Sequence, residues 1–259
     1  MIAGFEVGGR GPLLLREEVI ASRGAAGGGA PWTLLYASDL HLTAGRTALV
    51  AALLGQARAA APDVVLLGGD LVDDRGGLSP LEDAVAQLAA LAPVAAVAGN
   101  HDVAVGGGCV RTAVIGAGGR WLHDAPLALT AVGRRPLICR ASRDATADVD
   151  ANASDATAAA APAEPVAAQA LQVWVGHHPA PAAAAARHGF DLALAGHLHG
   201  GQCVLWQRGT RLYPGAWFSR WNGLRFALGD TTLLVSRGAA DTLPIRFRCP
   251  REVLLCRAR

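Results

Sequence analysis

Asp191-Leu-Ala-Leu-Ala-Gly-His-Leu-His-Gly-Gly-Gln202 is the stretch that decides how the rest of the chain is read. Leu192 to Ala195 is an apolar run of the length of a short buried strand. It breaks at Gly196, and His197 and His199 follow two positions apart. In extended chain, residues i and i+2 lie on the same face, so both rings are expected at one spot beyond the strand end. Gly200 and Gly201 then let backbone pass close by.

Four other stretches repeat this design. Trp32–Ala37 is apolar and ends in Ser38-Asp39-Leu40-His41. Asp63–Leu67 ends in Gly68-Gly69-Asp70, Val94–Ala98 in Gly99-Asn100-His101-Asp102, and Leu171–Val175 in Gly176-His177-His178-Pro179. Between them, Thr47–Ala60 has helical spacing of Leu49, Leu53 and Leu54. Ser79-Pro80-Leu81-Glu82 reads as a capping box that opens a second helix running to about Leu91. Strand, helix, strand, helix, strand favours a parallel sheet. Gly106–Gly119 reads as loop-like, and Ala182–His188 as a short helix stopped by Gly189. After Gln202 the pattern changes to short β runs with hairpin turns at Arg208-Gly209-Thr210 and Gly229-Asp230. Ile245–Arg248 and Val253–Arg257 alternate arginine with apolar residues and read as half-exposed strands.

An Asp after a strand is an ordinary turn former and a lone His is often a core residue. Five strands ending this way have a better common explanation, because sites in α/β sheets form beyond the carboxyl ends of strands. Carboxylates, imidazoles and one amide, without thiolate, suit Mn, Fe, Zn or Ni rather than calcium or an iron–sulfur cluster. The set exceeds what one ion needs and suits two, with one carboxylate shared. Two divalent ions outweigh the carboxylates that face them, and the residual positive charge calls for an anion such as phosphate.

Composition narrows the alternatives. The chain has 259 residues and a formal net charge of +2, with no basic run to call for nucleic acid or an anionic membrane. Five scattered cysteines without a CxxC suit a reducing compartment and are expected to pack as small apolar groups. No signal peptide or long apolar span is evident, so the expected location is cytoplasmic. Residues 1–31 read as a flexible, Gly-rich lead-in with an edge strand at Leu13–Ile20. Residues 32–259 read as one domain carrying an Ala-rich insertion at about 141–169. Gly8-Gly9-Arg10-Gly11 and Gly27-Gly28-Gly29 do not make a phosphate loop. Asp148–Ser154 imitates a calcium loop but has Ala153 at the sixth position and Ala159 at the twelfth.

Taken in order, Ser-Asp39-Leu-His41, Gly-Asp70-Leu-Val-Asp, Gly-Asn100-His101-Asp, Gly-His177-His-Pro and Gly-His197-Leu-His199-Gly-Gly-Gln resemble the five motifs of the calcineurin-like metallophosphoesterases. The last motif and the Pro244-Ile-Arg-Phe247 tail are similar to those of a small bacterial subfamily that often carries a membrane anchor, which is not evident here. The resemblance implies a four-layer α/β/β/α sandwich with two mixed sheets. It implies one metal held by Asp39, His41, Asp70 and His199, and a second by Asp70, Asn100, His177 and His197, with Asp70 bridging. His101 is then not a ligand but the proton donor to the leaving oxygen. Asp102 either orients His101 or serves the helix turn, and His178 is structural. The implied activity is hydrolysis of a phosphomonoester or phosphodiester on a small substrate, by attack of a metal-bridging hydroxide. A nuclease of the same family and a non-catalytic scaffold are the alternatives.

Overall fold

The structure is a computed structural model that describes residues 5–7, 11–21, 30–142 and 170–258. The Asp148–Ser154 run and most of the Ala-rich insertion lie outside the described residues.

In chain order the strands and helices are β1 (Phe5–Val7), β2 (Leu14–Ile20), β3 (Trp32–Ala37), α1 (Thr47–Ala60), β4 (Val64–Gly68), α2 (Leu78–Ala89), β5 (Val94–Val97) and α3 (Asn100–Gly116). There follow β6 (Arg120–Trp121), β7 (Leu127–Leu129), β8 (Leu137–Arg140), β9 (Leu171–Val175), α4 (Ala182–Arg187) and β10 (Leu192–Ala195). The chain closes with β11 (Val204–Arg208), β12 (Arg211–Pro214), β13 (Arg225–Leu228), β14 (Thr231–Val235), β15 (Ile245–Phe247) and β16 (Glu252–Ala258).

Two six-stranded sheets carry the fold, in the orders β2-β16-β3-β4-β5-β6 and β13-β14-β10-β9-β8-β7. Strands β3 to β6 are parallel, as the alternation of strand and helix predicts, and so are β8, β9, β10 and β14. Antiparallel pairs at β16–β3, β13–β14 and β7–β8 make both sheets mixed.

Side chains alternate across each strand. On β3, Leu34 and Tyr36 face inward and Leu35 and Ala37 face the helices. The inner set joins Val64, Leu66 and Val97 of the first sheet to Leu171, Val173, Leu192 and Leu194 of the second in one core. The outer set packs against Leu53, Leu81, Val85 and Val110 of α1, α2 and α3. The outer face of the second sheet is covered by the short α4 and by Trp221. The result is helix, sheet, sheet, helix in four layers, the architecture that the motif resemblance implies.

Four local expectations are corrected. Helix α2 starts at Leu78 with Gly77 at its N-cap, behind a 3-10 turn, Arg75–Gly77, that Asp74 caps. Ser79 is thus inside the helix and makes no cap bond. Gly106–Gly119 is mostly helical: α3 runs to Gly116, broken only by a left-handed Gly106. Glycine weakens a helix but does not forbid one that buries Val110, Ala113 and Val114. Strand β16 is buried at all but Arg257, because β2 and β3 cover both its edges. The arginine alternation there reads as half-exposed, but β2 takes the edge of the sheet and leaves β16 inside it. Among the cysteines, Cys139, Cys249 and Cys256 are buried as expected, whereas Cys109 and Cys203 are exposed.

Truncating the shared inner core tests this arrangement. Leu66, fully buried between the sheets, contacts both. Leu66→Ala should cost about 2–5 kcal/mol, and calorimetry should find the melting temperature lowered by roughly 5–20 °C. A change within error would mean that the two inner faces do not form one packed layer.

Candidate metal centre

The carboxyl ends of β3, β4 and β5 in one sheet, and of β9 and β10 in the other, open onto one rim. The rim carries every residue of the candidate set. Asp39 and His41 follow β3, Asp70 follows β4, Asn100 opens α3 after β5, His177 follows β9, and His197 and His199 follow β10.

The backbone reaches the rim through left-handed conformations. Asp39 (φ 56°), His41 (φ 44°), Asp70 (φ 51°), His197 (φ 70°) and His199 (φ 48°) are all in the positive-φ region that non-glycine residues rarely occupy. Such conformations cost of order 1–3 kcal/mol each and persist where the surroundings over-determine them. The expectation that His197 and His199 share a face in extended chain therefore fails. The chain turns sharply at both, His199 begins a 3-10 turn, and the two rings go to different clusters.

Three groups of side chains could hold an ion: Asp39 with His41 and His199, Asp70 with His177 and His197, and His41 with Asp70 and His101. In the first, His199 Nε2 lies 3.4 Å from Asp39 Oδ1 and 3.3 Å from His41 Nε2. In the second, His177 Nε2 lies 3.2 Å from Asp70 Oδ2 and 3.1 Å from both Asn100 Oδ1 and His197 Nδ1. Asn100 Oδ1 is also 3.1 Å from His197 Nδ1. Asp70 stands between the groups, with Oδ2 also 3.9 Å from His41 Nε2 and Oδ1 accepting from the His101 backbone N–H at 2.9 Å.

The chemistry of these atoms fits cations. His177 Nδ1 sits 3.0 Å from the Gly68 carbonyl, His199 Nδ1 3.1 Å from the Ala240 carbonyl, and His41 Nδ1 2.5 Å from Asp73 Oδ1. A carbonyl or carboxylate there takes the Nδ1–H, which leaves the Nε2 lone pair pointing inward. Lone pairs of three imidazoles, two carboxylates and an amide then converge, which is a donor set for divalent metal.

Without ions the carboxylates bind the rings electrostatically. Burial lowers the proton affinity of His177, but the Asp70 carboxylate more than offsets it and holds the ring up to about 9. Burial would raise Asp39 and Asp70, yet both are held below the usual carboxylate range, chiefly by His199 for Asp39 and by His177 for Asp70. Burial pulls His199 down to about 4, with His41 and Arg246 adding to it against Asp39.

His101 stays outside both tight clusters. Its Nδ1 is 3.0 Å from Asp73 Oδ1, the same oxygen that His41 uses, and its side chain is 36% exposed. Asp73 is therefore the group that orients His101, and Asp102 is not. Asp102 is fully buried and accepts from the backbone N–H groups of Gly99 (2.8 Å), Leu71 (2.9 Å) and Val72 (3.1 Å), tying the β4 and β5 loops together. Burial, helped by the charge of Asp70, pushes its carboxyl up to about 7. His178 is structural, accepting from the Ala180 N–H at 3.1 Å, and burial takes it down to about 3.

Sequence reasoning missed Asp73, although its place three residues after Asp70 puts it on the same loop. It also missed Thr242, whose Oγ1 is 2.9 Å from His199 Nε2, and Arg246. The Arg246 guanidinium is 1% exposed and donates to the Ala240 carbonyl at 2.7 Å, the oxygen that also orients His199. The Arg/apolar alternation of β15 signalled a surface residue there, and only the packing of the 237–249 segment buries it.

Close backbone approach makes Gly196 irreplaceable. A Cβ there would lie 2.5 Å from Asp39 Oδ2 and 2.5 Å from Ser38 Oγ. Gly196→Ala should displace the Asp39 carboxylate and weaken ion binding by about 10–100-fold, the range seen when support behind a ligand is disturbed. Titration of the metal-free protein with Mn2+ measures it, and unchanged affinity would remove Asp39 from the ion-holding set.

Comparison with known proteins gives the family. Residues 33–201 match the family model described as calcineurin-like phosphoesterase. Over 233 residues the chain is 28% identical to the phosphodiesterase YaeI of Escherichia coli K12, a match that covers 87% of this chain and 82% of that protein. Among solved structures, TT1561 of Thermus thermophilus superposes with a TM-score of 0.50 at 12% identity, covering 81% of this chain and 90% of that one. A dimetal phosphatase from Danio rerio aligns with a TM-score of 0.46 at 13% identity, over 83% and 90% of the two chains. With five motifs at the ends of five strands and a donor set suited to divalent ions, the chain belongs to the calcineurin-like phosphoesterase family of hydrolases.

Proposed function

We propose that the protein is a phosphodiesterase that works with two divalent ions at this rim. The observation that carries the reading is the meeting of two lone-pair clusters across Asp70, with His101 held beside them by Asp73. The relative named as a phosphodiesterase supports a diester over a monoester. In this reading Asp39, His41, Asp70 and His199 hold one ion, and Asp70, Asn100, His177 and His197 the other. The donor set suits Mn, Fe, Zn or Ni. Bound there, the ions supply Lewis acidity toward phosphoryl oxygens and make water a nucleophile at neutral pH.

The chain's own groups do the rest. Asn100, His101 and His197 are the partly exposed members of the rim and face incoming substrate. Asp73 Oδ1 lies 3.0 Å from His101 Nδ1 and takes its N–H, so Nε2 is the atom that hands a proton to the leaving oxygen. Asp102 holds the turn that sets His101 in place. Five free thiols support a reducing, cytoplasmic setting for a small phosphorylated substrate.

Metal analysis after Mn2+ reconstitution should approach two ions per chain, and Asp70→Asn should lose both because it removes the charge common to them. A firm value of one with full activity refutes the shared-carboxylate model.

His101→Ala should keep both ions. It should cut kcat on an alkyl phosphodiester by about 10²–10⁴-fold, the usual contribution of a positioned general acid. With a nitrophenolate leaving group, which departs unprotonated, the loss should shrink. Equal losses on both substrates, or an emptied metal position, would remove the proton-donor role. Asp73→Asn should show the same leaving-group dependence in milder form.

A further inference from the structure

The rim has an apolar side that the reaction does not use. Thr242 touches His199, and the next residue, Leu243, is 64% exposed. Gln202 clamps this segment against the site loop: its Nε2 donates to the Leu243 and Ile245 carbonyls at 2.8 and 2.9 Å, and the Leu243 N–H donates to its Oε1 at 3.0 Å. The turn after β12 lies on the same loop, since a Cβ on Gly201 would come within 2.0 Å of Gly215. That turn presents Trp217 (76% exposed) and Phe218 (75% exposed). Strand β11 adds Leu205 and Trp206, both exposed, and Arg248 bonds the Leu205 carbonyl at 3.2 Å.

Along residues 192–229 the formal charge has one sign. No Asp or Glu occurs between Asp191 and Asp230. Arg208, Arg211, Arg220 and Arg248 are all exposed. They are too far apart along the chain to form a basic run, but Arg208 and Arg211 pair across the β11–β12 hairpin and Arg211 donates to the Arg220 carbonyl at 2.6 Å. Exposed Trp and Phe among arginines, with aliphatic residues at their side, match the boundary layer of a bilayer. There the ring bodies sit among acyl chains and the guanidinium groups meet anionic headgroups.

We propose that this face, formed by the 215–218 turn, β11 and the 243–245 segment, docks the protein on an anionic lipid bilayer with the metal rim turned toward the headgroups. Two other occupants fit less well. A second copy placed symmetrically on this face would set arginine against arginine with no carboxylate between them. Single-stranded nucleic acid would stack on the aromatic rings but would leave Leu205, Leu243 and Ile245 unmatched.

Vesicle co-sedimentation of the full chain tests this without any turnover. Vesicles of phosphatidylcholine with phosphatidylglycerol should bind it, pure phosphatidylcholine vesicles should bind it less, and salt should weaken binding. Trp217→Ser with Phe218→Ser should lower partitioning roughly tenfold or more. Arg208→Gln with Arg220→Gln should lower it by roughly fivefold per arginine at low salt. Both variants should keep wild-type turnover of a soluble nitrophenyl phosphodiester, so failure of docking and failure of the phosphodiesterase reading are separate results. No binding to anionic vesicles, or binding unchanged in both variants, overturns the proposal. So does a dimer in sedimentation that the aromatic variant dissolves, or preferential binding of an oligothymidine over vesicles.

Discussion

Packing of the two inner sheet faces is the constraint on which the site depends. Each sheet alone carries half of a centre. Asp39, Asp70 and Asn100 come from the first, and His177, His197 and His199 from the second. The close pairs Asp39–His199, Asp70–His177 and Asn100–His197 all cross from one sheet to the other. The core below therefore sets donor separations directly, because a well-packed interior cannot change its layer spacing without opening voids. Cross-sheet contacts at the rim fix the spacing further. The Gly68 carbonyl takes the His177 Nδ1–H at 3.0 Å, and the Tyr36 hydroxyl donates to the Gly176 carbonyl at 3.4 Å.

Bringing so many lone pairs together is costly, and the fold concentrates that cost. Five of the eight positive-φ non-glycine residues among the described residues belong to the candidate set. A loop free to relax would not keep them. Buried bonds do: Asp102 ties three backbone N–H groups of the β4 and β5 loops, and Asp39 accepts from the His197 N–H at 3.0 Å and from Ser38 Oγ at 2.6 Å. Asp102 thus acts on His101 only by holding the turn that carries it, while Asp73 touches it.

Asp73 also links the two halves of the chemistry, since one of its oxygens meets both His41 and His101. A change at His41 is felt at His101 through that oxygen, and the reverse holds. Behind His199 the Arg246 guanidinium plays a related part: it shares the Ala240 carbonyl with the ring and is itself neutralised by Asp241 at 2.5 Å. The centre is held by residues well separated in sequence from the motifs they support.

The sequence by itself determined the elements that have a local cause. Apolar runs ending in Asp39, Asp70, Asn100, His177 and His197 are legible because a buried parallel strand is continuous in hydrophobicity and its polar end marks the rim. Their common order also identified the family and, through it, the four layers. What only the tertiary structure decided are features set by contacts distant along the chain. Strand β16 is central because β2 pairs with it from the other end of the chain. Helix α3 survives its glycines because α2 and β6 pack against one side of it. His197 and His199 part company because the backbone turns through positive φ at both. Arg246 is buried because the segment that carries it folds back on the site loop, where Gln202 holds the Leu243 and Ile245 carbonyls. Spacing along a chain reports which side chains share a strand or a helix face; only packing fixes which of them meet.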